Sequence, residues 1–196
     1  MKNIELKSLT VITGNSFTGK TALLNKILKE TNEHTISVNS DTRVEIDAND
    51  EFKQWFKFIF DTDFVQSERV SFTQKIISAG LSLKEGELLI VENPEIGLHP
   101  KAASKIAKFL AYLVSKKGVR VVIETNSTDI VTSICYEVYV SNIYCKKVMF
   151  LNKADKDSTE KVFVDGYGKF CNENEEQVKY PSGFFDANTK ELYSLL

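Results

Sequence analysis

Residues 14–21 are the segment whose residue types and spacing most clearly predict chemistry. They read Gly-Asn-Ser-Phe-Thr-Gly-Lys-Thr and fit G-x-x-x-x-G-K-[ST], between an apolar run at 9–13 and a helical pattern at 22–28. Glycines at both ends let successive backbone N–H groups turn inward around a phosphate, and the helix N-terminus adds its positive dipole end. The alternative is a strand-to-helix turn that matches by chance. We expect the nucleotide to contact Gly14, Asn15, Ser16, Thr18, Gly19, Lys20 and Thr21, with Lys20 on the outer phosphates and Thr21 on magnesium.

Two later apolar runs each end in polar side chains. Residues 87–91 lead into Glu-Asn-Pro-Glu at 92–95, and residues 119–123 lead into Glu-Thr-Asn-Ser at 124–127. Because residues 101–117 carry a helical apolar pattern, the segment 87–123 predicts a right-handed βαβ unit with these polar residues at the carboxyl edge of a parallel sheet. Glu92 is then the expected partner of the loop, since magnesium on Thr21 needs a carboxylate on the neighbouring strand to position its waters.

The rest of the chain predicts further helices and strands. Residues 31–50 are polar and irregular, and residues 70–83 predict a helix. Aromatic residues at 52, 55, 56 and 60 have helical spacing, which favours a core-facing helix over a base-stacking platform. Short strands are predicted at 137–140, 147–151 and 161–164, followed by an aromatic turn at 180–186 and a short helix.

Composition narrows the classes of protein to consider. The 196 residues are 42% hydrophobic and 27% charged, which is typical of one compact domain. The net charge of -2 gives no electrostatic support for a nucleic-acid or membrane partner, although a local basic patch leaves nucleic acid open. No signal-like run and no bilayer-spanning stretch is present, so we expect a cytoplasmic protein without membrane insertion. Cys135, Cys145 and Cys171 lack metal-ligand spacing and are expected to be reduced and mostly buried.

The string Glu-Asn-Pro-Glu-Ile-Gly-Leu-His-Pro at 92–100, with Glu-Thr-Asn-Ser at 124–127, resembles ABC-type ATPases related to SMC proteins. The resemblance is to the AAA-type ATPases of the OLD (overcoming lysogenization defect) and bacterial antiphage-defence group, with their E-[EN]-P-E, L-H-P and E-T-H-S motifs. Residues 180–186 are similar to the W-P-x-G-F-F-D tail of a subgroup. The resemblance implies an α/β P-loop NTPase fold, an ABC-type head with a mostly parallel sheet. The resemblance covers residues 9–29 and 70–186, and the predicted domain is 1–196, with a reduced helical and signature subdomain at 31–83 and C-terminal strands and tail at 137–186.

In such ATPases, two heads sandwich two nucleotides, and each phosphate loop is capped by a signature segment of the opposite head. Residues 70–74 stand where this signature belongs, so the resemblance implies that Ser71 approaches a γ-phosphate in trans. A plain amphipathic helix start is the alternative. His99, next to a proline at a helix start, is read as a structural cap and interface residue rather than a ligand or base.

The departures from the family pattern concern catalysis. Asn93 occupies the position of a catalytic glutamate, and an amide can orient water but cannot accept a proton at neutral pH. With Asn93 at that position, Glu92 or Glu95 is expected to share the catalytic work. Asn126 replaces the switch histidine that would contact the γ-phosphate, which weakens the grip on that phosphate. We therefore expect slow ATP hydrolysis.

The resemblance implies ATP and Mg²⁺ as cofactors and a homodimer, or a heteromer with a larger effector protein in phage defence. A nucleotide-binding regulatory or structural subunit with little turnover is a second hypothesis. A small P-loop kinase ranks lower because its lid typically carries arginines, and the three arginines of this chain are scattered. An ABC transporter subunit is also open, although the string at 92–100 points away from transporters.

Overall fold

The computed structural model describes residues 5–15, 17–67 and 70–180. Its strands are β1 Leu9–Gly14, β2 Thr35–Val38, β3 Leu88–Glu92, β4 Arg120–Glu124, β5 Val148–Lys153, β6 Glu160–Val164 and β7 Phe170–Cys171. Its helices are α1 Lys20–Glu30, α2 Asp50–Phe60, α3 Phe72–Ser82, α4 Pro100–Lys116 and α5 Thr128–Tyr139, with a 3-10 turn at Cys145–Lys147.

The strands form one sheet in the order β2-β3-β4-β1-β5-β6-β7. The first five in this order run parallel, and β6 and β7 are antiparallel additions at one side. The expected α/β fold with a mostly parallel sheet and a phosphate loop between β1 and α1 is confirmed.

The sheet order corrects one expectation about the site. We had expected Glu92 on the strand next to the phosphate-loop strand, and this is wrong. Strand β4 lies between β1 and β3, so Glu92 is one strand further away. The residue that occupies the expected place is Glu124, the last residue of β4, which is in register with Ile12 of β1 and with Glu92 of β3. Both carboxylates thus reach the carboxyl edge at the same height.

Helices on both faces bury the central strands. Alternation along β3 sends Leu89 and Val91 into a large cluster with the residues of α2 to α5, and Leu88 and Ile90 into a smaller cluster beneath α1. This two-sided burial explains why the strands read as continuous apolar runs. In the part of the chain that the structure describes, no helix is long and apolar enough to cross a membrane.

The aromatic segment forms α2, as predicted. The Asn49 side chain accepts a hydrogen bond from the Phe52 backbone N–H and so begins the helix. Phe52 and Ile59 are buried, and the Trp55 ring packs against Phe109 of α4 at 5.0 Å between ring centroids. The core-facing interpretation of this segment is confirmed.

The predicted strand at 137–140 is wrong, because helix α5 continues through residue 139. Ser127 accepts a hydrogen bond from the Ile130 backbone N–H, and Ile130, Ile134 and Val138 recur at helical spacing on the buried side. The β-branched residues around 138–140 favour a strand locally, but packing of α5 on α4 decides the outcome.

Of two further expectations, the structure corrects one and confirms the other. The region described as irregular contains β2, whose pairing with β3 places Ile36 opposite Leu89. Cys135 and Cys171 are buried and all three cysteines are free, which confirms the expectation of reduced thiols. Of the predicted aromatic turn at 180–186, residues 181–186 lie outside the described residues, as does the helix predicted after them.

Candidate functional site

The phosphate loop joins β1 to α1 and depends on its two glycines. Gly14 has φ +129°, and a Cβ there would lie 2.1 Å from the Lys153 carbonyl oxygen, so only glycine lets β5 approach this closely. Gly19 adopts φ +88° as the N-cap of α1. Between them, Phe17 has a left-handed φ of 62° and is 94% exposed. Ser16, a predicted nucleotide contact, lies outside the described residues.

Polar side chains of the loop bond to its own carbonyl groups. Lys20 is buried, and its Nζ donates to the carbonyl oxygens of Gly14 at 3.0 Å and Asn15 at 2.7 Å. Thr18 Oγ1 donates to the Asn15 carbonyl oxygen at 2.8 Å. Burial lowers the pKa of Lys20, while the nearby Glu124 and Glu95 carboxylates oppose that shift. The Lys20 ammonium is therefore held against the backbone carbonyl oxygens of the loop itself.

Thr21 connects the loop to the acidic edge of the sheet. Its Oγ1 donates to Glu124 Oε2 at 3.0 Å and lies 3.3 Å from Oε1 of the same carboxylate. Glu124 is only 4% exposed. Burial is the main cause that raises its pKa, the Thr21 hydroxyl lowers it, and Glu92 and Glu95 raise it further through repulsion. The structure thus brings Thr21 to Glu124 directly.

Three of the four predicted catalytic residues form a connected group at the same edge, namely Asn93, Glu95 and Asn126. Glu95 accepts hydrogen bonds from Thr125 Oγ1 at 2.9 Å and from the Asn126 backbone N–H at 2.8 Å. Asn126 Nδ2 donates to Asn93 Oδ1 at 3.2 Å. Asn93 has φ 49°, a left-handed conformation that asparagine tolerates better than most residues. Glu95, Asn93 and Asn126 therefore lie together, at the ends of β3 and β4.

Ser71 has a local role in the described structure. Its Oγ accepts a hydrogen bond from the Gln74 backbone N–H, and Gln74 Oε1 accepts one from the Ser71 backbone N–H, which is a capping box for α3. Its role toward a γ-phosphate in trans stays a prediction. His99 begins α4 and accepts from the Lys101 backbone N–H through Nδ1 at 3.4 Å, which confirms the structural cap.

Sequence reasoning missed Glu124 as a site residue, although it quoted the motif that contains it. The available signal was the one that selected Glu92, a carboxylate directly after a buried apolar strand. What the sequence lacks is the order of the strands, which decides which of the two carboxylates stands beside the phosphate loop.

The donor atoms at this edge fit a magnesium ion with phosphates. The Thr21 hydroxyl and the carboxylates of Glu92 and Glu124 offer the oxygen ligands that Mg²⁺ prefers. Among residues 5–15, 17–67 and 70–180, no group of three His, Cys, Asp or Glu side chains forms a metal site by itself.

Comparison with known proteins finds similarity over parts of the chain. The family model described as "AAA domain, putative AbiEii toxin, Type IV TA system" matches residues 61–131. The energy-coupling factor transporter ATP-binding protein EcfA of Methanocaldococcus jannaschii is 36% identical over 93 residues, which are 47% of this chain and 30% of that protein. EcfA2 of Clostridium perfringens is 36% identical over 73 residues, 36% of this chain and 26% of that protein.

Among solved structures, the dimeric ABC transporter cassette MJ0796 aligns with a TM-score of 0.45 and 13% identity, over 81% of this chain and 88% of that one. The chain spans less than a third of the length of the two curated relatives. The similarity to these two ATP-binding proteins therefore covers only a segment of this chain and a segment of each relative.

Proposed function

We propose that this chain binds ATP with Mg²⁺ at the phosphate loop of residues 14–21 and hydrolyses it slowly, as an ABC/SMC-like ATPase head. The observation that carries the proposal is the convergence of Lys20, the N-terminus of α1 and the Thr21–Glu124 contact at one edge of the sheet. A buried cation, a helix dipole and backbone N–H groups attract phosphates, and the carboxylates attract the accompanying metal ion.

Each residue has a definite task in this proposal. Lys20 exchanges the carbonyl oxygens of Gly14 and Asn15 for phosphate oxygens, while the N–H groups at the start of α1 bind the phosphate between them. Mg²⁺ would be held by the Thr21 hydroxyl at the edge where Glu124 ends β4, and when bound it would supply charge neutralisation for the phosphates.

Slow hydrolysis follows from the groups at the ends of β3 and β4. Asn93 and Asn126 carry amides, which orient water without accepting its proton. The Glu95 carboxylate has both oxygens engaged by Thr125 and the Asn126 backbone. We expect turnover below roughly 1 per second, the lower end of the usual range for enzymes.

Substitution of Lys20 tests the binding site. Lys20→Ala removes a charge-assisted contact to the outer phosphates, and calorimetry should show ATP affinity lowered by roughly 10- to 100-fold. Lys26→Ala is the matched control, because Lys26 lies on the same helix and pairs with Glu30 at the surface. Equal ATP affinity for the wild type and Lys20→Ala would contradict the assignment of the phosphate loop.

In our proposal, the head transmits its nucleotide state to a second copy of the chain or to a larger effector protein in phage defence. Support comes from the motif resemblance to the antiphage-defence ATPases and from the family model whose description names the AbiEii toxin. ATP with Mg²⁺ should then promote association, detectable by sedimentation, whereas ADP should leave monomers.

A nucleotide-binding regulatory subunit is the second candidate, favoured by the amides of Asn93 and Asn126. A steady-state phosphate-release assay separates the two. Slow turnover abolished by Lys20→Ala supports the ATPase, and ATP binding without any turnover supports the regulatory subunit.

A further inference from the structure

Glu124 is a buried carboxylate on the strand adjacent to the phosphate-loop strand. Strand β4 pairs directly with β1, whereas β3, with Glu92 at its end, is one strand further away. Neighbouring strands lie about 4.8 Å apart, so Glu92 starts about twice as far from β1 as Glu124 does. Within the described residues, Glu92 makes no side-chain hydrogen bond to the loop, and Glu124 makes one to Thr21.

The contact between Thr21 and Glu124 fixes the direction of a hydroxyl group. A threonine hydroxyl has one hydrogen and two oxygen lone pairs. With the hydrogen directed at the Glu124 carboxylate, the lone pairs are left for a cation on the other side. Thr21 is exposed and Glu124 is buried, so the side of the hydroxyl oxygen that faces away from the carboxylate is the side open to a ligand.

The charges around Glu124 favour a divalent cation. Glu92 and Glu95 repel the Glu124 carboxylate, and Lys20 is the cation that acts on it. One lysine cannot offset three carboxylates. Glu95 is satisfied by Thr125 and the Asn126 backbone, whereas Glu124 has only the single Thr21 hydroxyl as a side-chain donor among the described residues. A Mg²⁺ ion beside Thr21 would supply the missing positive charge.

We infer that Glu124 is the positioning residue of the magnesium site, orienting the Thr21 hydroxyl oxygen toward the ion that accompanies the phosphates. The inference rests on the proposed function and moves to Glu124 a role that the sequence suggested for Glu92. Residues that orient metal ligands in this way typically account for 10- to 100-fold of metal affinity.

The experiment measures ATP affinity by calorimetry with Mg²⁺ and, separately, with EDTA, for the wild type, Glu124→Gln and Glu92→Gln. Glu124→Gln keeps the volume of the side chain and removes its charge. We expect the ratio of the two affinities to fall roughly tenfold in Glu124→Gln and to change much less in Glu92→Gln. Affinity in EDTA should stay the same or increase, because a negative charge near the triphosphate is removed.

A double-mutant cycle with Thr21→Val tests whether Glu124 acts through the hydroxyl. Thr21→Val is isosteric and removes only the hydroxyl, so the ratio should fall as in Glu124→Gln, and the double variant should lose little more than either single one. Binding of Mn²⁺ to the ADP complex, followed by electron paramagnetic resonance, gives a second readout that does not depend on turnover.

The outcomes separate the two proposals. A wild-type protein that does not bind ATP contradicts the proposed function itself. A wild-type ratio retained in Glu124→Gln, losses that multiply in the double variant, or an equal loss in Glu92→Gln would each overturn the role of Glu124. Thermal unfolding of every variant checks folding, and Glu124→Gln should unfold at or above the wild-type temperature, because a buried charge becomes a neutral amide.

Discussion

Two regions of the molecule, the aromatic layer and the carboxyl edge, differ in the interactions that hold their side chains. The aromatic layer consists of Phe52, Trp55, Phe56, Phe64, Phe109 and Tyr112, whose rings pack against one another across α2 and α4 at 4.9 to 6.3 Å between centroids. The carboxyl edge consists of the phosphate loop with Glu92, Asn93, Glu95, Glu124 and Asn126. There, buried charges are held by a few hydrogen bonds, and non-glycine residues adopt left-handed backbone conformations at Phe17 and Asn93.

This difference shows where the molecule gains stability and where it keeps binding capacity. The rings of the aromatic layer pack against one another, and Phe52 and Phe109 are fully buried, so contacts within the chain hold this layer together. The carboxyl edge holds buried charges and strained backbone that add nothing to packing, a combination that is found at functional sites. We therefore expect substitutions in the aromatic layer to act on folding, and substitutions at the carboxyl edge to act on nucleotide binding.

The largest effect on the free energy of unfolding is expected from Phe52→Ala. Phe52 is fully buried and contacts the rings of Phe56 and Phe64, so truncation leaves a large cavity and should cost about 3–5 kcal/mol. Urea unfolding measures this loss. Phe58→Ala is the control on the same helix, because Phe58 is 41% exposed and should lose far less. Equal losses of unfolding free energy in the two variants would show that α2 does not bury the face that carries Phe52.

Gly14→Ala tests the carboxyl edge at the point where β5 approaches the phosphate loop. The new Cβ would meet the Lys153 carbonyl oxygen and force the backbone to move. This should lower the free energy of unfolding by about 3 kcal/mol and abolish ATP binding. Gly86→Ala is the matched control, since Gly86 also has a positive φ but no atom within 4 Å of the new Cβ. It should cost about 1–2 kcal/mol and leave calorimetric ATP affinity unchanged. Retained ATP affinity in Gly14→Ala would contradict a rigid loop.

Much of the fold could be predicted because its signals are local. The phosphate loop, β3, α4 and β4 were found from motif spacing and from apolar runs that reflect burial on two faces. Helix α5 was missed as a whole, and residues 137–140 were predicted as a strand because Val138 and Val140 favour one, whereas the deciding contacts come from α4, distant in sequence. Strand β2 was missed because it is an edge strand, half exposed and therefore more polar.

The residues of the site were more predictable than their pairing. Glu92 and Glu124 both follow buried strands, and either strand could have been placed beside β1 without any change in local pattern. The contact between Thr21 and Glu124 depends on the crossover that inserts β4 between β1 and β3, which is a property of the whole sheet. Local sequence therefore identified the edge and left its internal arrangement to the structure.

Ser71 allows the role of a helix cap to be separated from a role at an interface. Ser71→Ala removes the cap of α3 and should cost about 1 kcal/mol of unfolding free energy. Ser71→Asp keeps a good cap, so stability should stay near the wild-type value. The same change places a negative charge where a γ-phosphate is proposed to arrive from the partner, so ATP-dependent association in sedimentation should be lost. Normal association of Ser71→Asp would contradict the proposed contact in trans.

The smallest effect on stability is expected at Asn93, where the carboxyl edge departs from the motif of the ATPases that the sequence resembles. Asparagine adopts its φ of 49° more readily than glutamate does, so Asn93→Glu should cost about 1 kcal/mol in urea unfolding. The new carboxylate can still accept from Asn126 Nδ2, and it adds a proton acceptor at the position of the catalytic glutamate, so phosphate release should become faster. Asn93→Gly is the control, because it keeps the backbone conformation and removes the side chain. If Asn93→Glu folds normally, binds ATP and shows no gain in turnover, the attacking water does not lie at residue 93, and slow hydrolysis needs a cause elsewhere at this edge.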